Sequence, residues 1–250
     1  MLTIAGMTHT FGGLTAIADL TFQVPQGTIY SVIGPNGAGK TTLFNLLTGV
    51  YRPTAGSIQL MGDELAGMTP LQIAKKGVSR TFQNLQIFAG MTALENVMVG
   101  CHDHGKCGLL TTCLGLPTLQ KEERCLKEMA QEALEFCGLS SIAERPVSAL
   151  PYGILKKLEI ARALATRPKL LLMDEPAAGL NDTETGEMVS MIRSIQQANI
   201  TVLLVEHNMR LIMDVSHHIL VLNYGQKLAE GTPHDIQHNK AVIDAYLGNA

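Results

Sequence analysis

The stretch IYSVIGPNGAGKTTLFNLL, residues 29–47, decides the fold class. Its apolar beginning, residues 29–33, predicts a strand, and residues 40–47 predict a helix. Between them GPNGAGKT, residues 34–41, fits the pattern G-x-x-x-x-G-K-[ST]. Glycines let such a turn curl until its N–H groups point at phosphate oxygens, and the helix start adds a favourable dipole. The stretch therefore predicts a strand–loop–helix unit that holds nucleoside phosphates.

Lys40 and Thr41 carry the chemistry of this loop. The lysine supplies a positive charge to the β and γ phosphates, and the threonine hydroxyl is a ligand for Mg²⁺. The structural alternative is a glycine-rich turn with an incidental lysine, and the strand and helix that flank the loop argue against it. The predicted nucleotide-binding residues of the loop are Gly34, Pro35, Asn36, Gly37, Ala38, Gly39, Lys40, Thr41 and Thr42.

Three later apolar runs extend the prediction to a whole sheet. They are LLLM (170–173), TVLLV (201–205) and HHILVL (217–222). Short continuous runs are typical of strands buried on both faces of a mainly parallel sheet, and helices predicted at 183–198 and 207–215 separate them. The chain begins with extended runs between glycine turns, and residues from 92 to 165 are mostly helical in pattern. The sequence predicts an α/β core with a helical insert.

Two carboxylates follow the strand in LLLMDEP, residues 170–176. Asp174 is expected near Mg²⁺ and its waters, and Glu175 is expected to polarise the attacking water. His207 follows the next apolar run, at the sheet edge where ligands bind, and is expected to contact the γ-phosphate. Taken alone, each of these residues is also compatible with an ordinary strand-to-loop junction.

The order of these motifs resembles the ATP-binding subunits of ABC transporters. The matching pieces are GPNGAGKT, TFQ (81–83), LPYGILKKLEIARAL (150–164), LLLMDEP, AAGLN (177–181) and EHN (206–208), and together they span nearly the whole chain. The resemblance implies an α/β P-loop ATPase with a mainly parallel sheet and an N-terminal antiparallel β subdomain. It implies a single domain, in which residues 1–88 and 166–250 form the core and residues 89–165 form the helical subdomain.

The resemblance also implies roles for matching residues. Phe11 would stack on adenine, and Gln83 would sense Mg²⁺ or water at the γ-phosphate and head the segment that contacts the membrane subunits. Glu175 would be the general base and His207 the γ-phosphate sensor. Two such subunits would form a head-to-tail dimer that sandwiches two ATP molecules. The partner is either a second copy of this chain or a paralogous ATPase.

Pro151, Tyr152 and Gly153 stand where the family writes its signature, L-S-G-G-Q. By resemblance, this helix start contacts the γ-phosphate of the ATP held by the partner subunit. Pro151 replaces a serine, whose hydroxyl would have made one charge-assisted bond, while the helix dipole and the Gly153 N–H remain. Asn181 also departs from the family, which usually has aspartate there. Within the helix, Lys156, Lys157, Glu159 and Arg162 are expected to lie largely opposite an apolar stripe.

Within the family, the ATPases of branched-chain amino acid importers are most similar. FGGLTAI (11–17), residues 158–181 and the C-terminal GTPHDI and AYLG carry this likeness. An importer of urea, another amide or another amino acid would look much the same. Two further alternatives are a soluble ABC ATPase of DNA repair or translation and a nucleotide-dependent scaffold with weak hydrolysis. The expected partners are separate integral permease subunits and, through them, a substrate-binding protein.

Composition limits the other function classes. The chain has 250 residues, 46% of them hydrophobic and 16% charged, with a net charge of −3, so we expect no nucleic-acid partner. The start lacks a signal-peptide pattern and no apolar run reaches the length of a membrane span. The expected location is therefore peripheral, on the cytoplasmic face of the inner membrane.

Residues 101–107, CHDHGKC, offer four cysteine or histidine side chains. Zinc takes such ligands, but neither the cysteine pair nor the histidine pair has a familiar zinc spacing. A variable loop of the insert is therefore the favoured interpretation.

Overall fold

The computed structural model describes residues 1–101 and 117–247, and it contains two β-sheets and a group of helices. The larger sheet has six strands: β3 (Ile29–Ile33), β6 (Val78–Arg80), β7 (Leu170–Asp174), β8 (Thr201–Val205), β9 (His218–Asn223) and β10 (Gln226–Gly231). Their order in the sheet is β10-β9-β3-β8-β7-β6. All neighbouring pairs are parallel except β9 with β10. The predicted mainly parallel α/β fold is confirmed.

The smaller sheet is antiparallel, and its strands are β1 (Leu2–Phe11), β2 (Leu14–Val24), β4 (Ala55–Leu60) and β5 (Asp63–Glu64). Their order in the sheet is β2-β1-β4-β5. The turn between β1 and β2 contains Gly12 at φ +57°, a conformation that glycine adopts without strain. This sheet brings Phe11 to the end of a long hairpin.

The helices predicted at residues 40–47, 183–198 and 207–215 are present, with ends within two residues of the predicted bounds. The described helices are α1 (Lys40–Leu47), α2 (Pro70–Lys75), α3 (Ala93–Gly100), α4 (Pro117–Phe136), α5 (Tyr152–Ala165), α6 (Asp182–Gln197), α7 (Met209–Val215), α8 (Pro233–Gln237) and α9 (Lys240–Leu247). The start of α6 is fixed by a capping box, in which Asn181 accepts from the Glu184 N–H and Glu184 accepts from the Asn181 N–H.

The parallel strands are buried on both faces, as continuous apolar runs require. On β7, Leu171 and Met173 pack with the helices, whereas Leu170 and Leu172 pack with α1 and the antiparallel sheet. The same alternation holds on β8. The sheet thus lies between two hydrophobic cores. Packing on both faces fixes the positions of its strands and of their carboxyl ends.

The polar side of α5 is more buried than the sequence predicts. Lys156 is 2% exposed and Glu159 is 3% exposed, although both were expected opposite the apolar stripe of this helix. The segment of residues 82–88 covers them, and Glu159 accepts a hydrogen bond from the Phe82 N–H. The expectation of a solvated polar face was wrong for these two residues, because helical periodicity does not show which later contact covers a polar face.

The CHDHGKC segment lies outside the described residues from 102 onward. Cys101 directly follows α3, is fully buried and has a pKa raised to about 11 by burial. In the described residues no cluster of three or more histidine, cysteine, aspartate or glutamate side chains could hold a metal ion. Over the same ranges no helix combines the length and apolar character that a bilayer span needs. The division at residues 89–165 stays a prediction.

Candidate functional site

The carboxyl ends of β3, β6, β7 and β8 meet at one edge of the parallel sheet. A cavity of about 530 Å³ opens at this edge. It contains these residues predicted for the site: Phe11, Asn36, Gly37, Ala38, Gly39, Lys40, Thr41, Thr42, Gln83, Glu175 and His207. Gly34, Pro35 and Asp174 are not among its lining residues. The fold therefore gathers residues up to about 200 positions apart around one opening, as expected for open α/β sheets.

The phosphate loop depends on glycines that no other residue could replace without strain. Gly37 has φ +79° and Gly39 has φ +105°. A Cβ atom on Gly39 would lie 2.8 Å from the carbonyl oxygen of Ala16. No side chain of the described residues caps the start of α1, whose N-cap is Gly39. The first N–H groups of this helix therefore stay available for oxygens of a ligand.

Lys40 is buried and held against its own loop. Its Nζ donates to the carbonyl oxygens of Gly34 at 2.7 Å and Pro35 at 3.1 Å. Burial lowers the pKa of this ammonium, and the carboxylates of Glu175 and Asp174 oppose that shift. A buried cation with only neutral hydrogen-bond acceptors attracts anionic groups strongly, which suits a phosphate contact.

Asp174 ends β7 and is paired with an arginine that the sequence analysis missed. Its Oδ2 accepts from the Arg80 Nη2 at 2.7 Å, and the two side chains are only 8% and 7% exposed. Arg80 also donates from Nη1 to Asn45 at 2.7 Å, and its guanidinium lies 5.3 Å from the Phe44 ring centre and 5.1 Å from that of Phe82. Arg80 thus connects the end of β7, helix α1 and the segment that begins at Phe82.

Glu175 lies between two of its predicted neighbours. Its Oε2 accepts from the Gln83 Nε2 at 3.0 Å, and its Oε1 lies 3.0 Å from the His207 Nε2. Its backbone has φ +50°, which is left-handed and unfavourable for a residue with a Cβ atom. This conformation turns the carboxylate out of the strand direction and into the cavity. A carboxylate held in this way can accept a proton from a water bound beside it.

Glu206 is a second residue of the site that the sequence analysis missed. It is 4% exposed and accepts from the N–H groups of His207 at 2.9 Å and Ala177 at 2.8 Å. The carboxylate fixes the loop that carries His207 and joins it to the loop after Glu175. Its signal in the sequence was the motif EHN itself, in which only the histidine had been given a role.

Phe11 lines the cavity from the antiparallel sheet and is 43% exposed. Its ring makes edge contacts with His9 at 4.5 Å and Tyr51 at 5.2 Å between ring centres. These two rings stack on each other at 5.4 Å. An exposed aromatic face with a fixed ring orientation suits the stacking of a flat base.

Pro151, Tyr152 and Gly153 form the start of α5, away from the cavity. Pro151 is the N-cap, and its carbonyl oxygen accepts from the Leu155 N–H at 3.1 Å. Among the described residues no side chain caps this helix. Pro151, Tyr152 and Gly153 do not line the nucleotide cavity, and their expected contact with the ATP of a partner subunit stays a prediction. A Cβ atom on Gly153 would collide with the Glu184 carboxylate of α6.

The donor groups suit Mg²⁺ and a nucleoside triphosphate. Thr41, Asp174 and Gln83 offer hard oxygen ligands, which Mg²⁺ prefers, and they lie beside a loop of N–H groups. Lys40 lines the same cavity as His207, which the sequence predicts to contact the γ-phosphate.

Comparison with known proteins gives the same identification. The ABC transporter family matches residues 17–178, and the branched-chain amino acid ATP-binding cassette transporter family matches residues 226–250. The high-affinity branched-chain amino acid transport ATP-binding protein BraF of Pseudomonas aeruginosa is 47% identical, over 100% of this chain and 98% of that protein. LivG of Escherichia coli K12, described in the same words, is 45% identical over the same shares.

The structural comparison agrees with the sequence comparison. A crystal structure of a nucleotide-free ATP-binding cassette from an ABC transporter superposes with a TM-score of 0.87 and 30% identity, covering 100% of this chain and 99% of that one. The family match covers more than half of the 250 residues. The chain belongs to the ABC transporter family, among its ATP-binding proteins.

Proposed function

We propose that this chain is the ATP-hydrolysing subunit of an importer for branched-chain amino acids. The single observation that carries the ATPase assignment is the convergence of Lys40, Gln83, Glu175 and His207 on one cavity. The names of the relatives with 45–47% identity support the branched-chain substrate. The alternative is an importer of urea or another amide, since such a chain would show much the same sequence features.

ATP binding would use both ends of the cavity. Phe11 stacks on adenine, and the loop from Gly34 to Thr42 surrounds the phosphates with N–H groups and the Lys40 charge. Thr41 and Gln83 would hold Mg²⁺ directly and Asp174 through water. When bound, Mg²⁺ neutralises charge on the β and γ phosphates and orients them.

Hydrolysis would depend on Glu175 as general base. Its carboxylate accepts a proton from the water that attacks the γ-phosphorus, and His207 contacts the γ-phosphate. Gln83, which donates to the same carboxylate, orients it towards the water. The left-handed backbone of Glu175 and the buried Glu206 fix this geometry before ATP arrives, so little reorganisation is needed.

A second subunit would complete each ATP site. The uncapped start of α5, Pro151 to Gly153, is the element that this chain contributes to the site of its partner. The partner is a second copy or a paralogous ATPase. Closure around two ATP molecules then converts binding energy into a change that membrane subunits can follow.

The permease subunits would dock beside the segment of residues 82–88. A second cavity of about 640 Å³ lies there, lined in part by Phe82, Phe88 and Val99. These side chains are 40–46% exposed and form an apolar surface next to Gln83. With such a contact the chain would be a peripheral subunit, and we infer that it lies on the cytoplasmic face of the inner membrane. A substrate-binding protein would act on the permease from the other side.

The Glu175→Gln variant tests hydrolysis. We expect ATP turnover to fall by about 10²–10⁴ while ATP binding is preserved, because the amide keeps the shape but cannot accept the proton. Steady-state phosphate release and binding of a fluorescent ATP analogue measure the two quantities. Glu187→Gln is the control, since Glu187 is an exposed carboxylate paired with Lys157. Wild-type turnover in Glu175→Gln would show that Glu175 is not the general base. ATP binding without turnover in the wild-type chain would favour the alternative of a nucleotide-dependent scaffold.

Reconstitution tests the substrate. The chain, its permease subunits and the binding protein are placed in vesicles loaded with ATP, and uptake of labelled leucine, urea and an unrelated amino acid is compared. Leucine uptake that requires Glu175 supports the branched-chain assignment. Uptake of urea with none of leucine would move the chain to the alternative importer class.

A further inference from the structure

Polar side chains of α5 hold the segment of residues 82–88, which carries Gln83. The Lys156 Nζ donates to the Gln83 carbonyl oxygen at 3.1 Å. One turn further along the helix, the Glu159 Oε1 accepts from the Phe82 N–H at 3.1 Å. A third side chain of the same face, Arg162, places its guanidinium 5.8 Å from the Phe88 ring centre. The first two contacts bind the backbone of the segment, and the third contacts a side chain.

Burial makes these contacts costly to lose. Lys156 and Glu159 are almost completely buried, whereas their neighbour Lys157 pairs with the exposed Glu187 on the other side of the helix. Burial raises the pKa of the Glu159 carboxyl, and the N–H groups of the segment oppose that shift. A buried charged group without its partner is strongly unfavourable, so the two side chains hold the segment at one distance from α5.

Gln83 is therefore fixed from two sides. Its backbone is tied to α5, and its side chain donates to Glu175 at 3.0 Å. The position of Gln83 relative to Glu175 therefore depends on where α5 holds its backbone.

We propose that Lys156 and Glu159 are positioning residues that set Gln83 against Glu175. The proposal rests on the proposed ATPase function. It adds two residues that do not line the nucleotide cavity and that act only through Gln83. A merely structural role would lower stability and turnover alike, whether or not Gln83 is present.

A double-mutant cycle separates the two roles. Lys156→Met is expected to lower kcat by about 10- to 100-fold, since a small misplacement of a reacting group has an effect of this size. The affinity for ATP should stay within about twofold, because the phosphate loop is untouched. In a Gln83→Ala background the further loss of kcat should be less than twofold. Equal losses in both backgrounds would overturn the proposal.

Two matched variants serve as controls. Lys157→Met removes a charge from the same helix without touching the segment, and it should leave kcat unchanged. Glu159→Gln keeps an oxygen that accepts from the Phe82 N–H and should retain most of the activity, whereas Glu159→Leu should lose it. If thermal denaturation shows that Glu159→Leu does not fold, the activities of Lys156→Met and Glu159→Gln still test the positioning role. Loss of activity in Glu159→Gln as large as that in Glu159→Leu would contradict the positioning role.

A spectroscopic readout is independent of hydrolysis. The chain has no tryptophan, so a Phe82→Trp variant carries a single reporter on the segment. We expect Lys156→Met to increase acrylamide quenching of this reporter at least twofold, and Lys157→Met to leave it unchanged. Unchanged quenching in Lys156→Met would show that Lys156 does not hold the segment, and it would overturn the proposal. If quenching changes while the wild type shows no ATP hydrolysis, the proposed function is wrong but α5 still holds the segment.

Discussion

Replacement of Arg80 by methionine tests how the buried charge of Asp174 is balanced. The pair is 2.7 Å apart and both side chains are less than a tenth exposed. Removing one partner of a buried pair leaves an uncompensated charge and costs about 3–5 kcal/mol. Methionine keeps the apolar contact with Phe44 and Phe82, so packing loss adds little. In a protein of this size the cost corresponds to a melting temperature lower by roughly 6–20 °C.

The assay is thermal and urea unfolding of the nucleotide-free chain, followed by circular dichroism. In an Asp174→Asn background the same Arg80→Met change should cost clearly less, because no carboxylate is left unpaired. The control is Arg193→Met, since Arg193 pairs with Asp214 at the same 2.7 Å but about half exposed, and should cost under about 1 kcal/mol. A loss below about 1 kcal/mol for Arg80→Met, or an equal loss in both backgrounds, would refute the reasoning.

Three other predictions concern thiols, pH and backbone. Cys125 is exposed whereas burial raises the pKa of Cys137 to about 12, so iodoacetamide should alkylate Cys125 before Cys137, as peptide mass spectrometry would show. Burial raises the pKa of Glu159, so the folded chain holds this proton more tightly than the unfolded chain. Its contribution to stability therefore falls as pH rises from about 4.5 through the raised value, and Glu159→Gln should show a flatter unfolding curve against pH. Gly39→Ala should weaken nucleotide binding at least tenfold in an ATP titration, because of its φ of +105° and the nearby backbone, whereas Gly13→Ala, with open space around it, should bind as the wild type does.

Much of the fold could be predicted from the sequence because its signals are local. The glycine pattern, the helix from Lys40 and the strands at residues 170–173 and 201–205 need only neighbouring residues to be recognised. The mainly parallel sheet then follows from runs that are apolar on both faces. Parallel strands bring their carboxyl ends together, which is why Glu175 and His207 meet at one cavity.

The sequence does not reveal partners that fold topology alone creates. Arg80 and Asp174 are 94 residues apart, and Phe82 and Glu159 are 77 apart. Neither Arg80 nor Glu159 belongs to a short motif with a known chemical spacing, and helical periodicity assigned Glu159 to a polar face. Which polar residues become buried depends on what covers them, and that information lies in the packing of distant segments.

The left-handed backbone at Glu175 has a consequence for stability that differs from its role in geometry. A residue with a Cβ atom at φ +50° carries a strain of about 1–3 kcal/mol, which glycine would not carry. The folded chain thus gives up part of a small stability margin to keep one carboxylate in place. A protein selected for stability alone would relax at this position, and it would lose its chemistry in doing so.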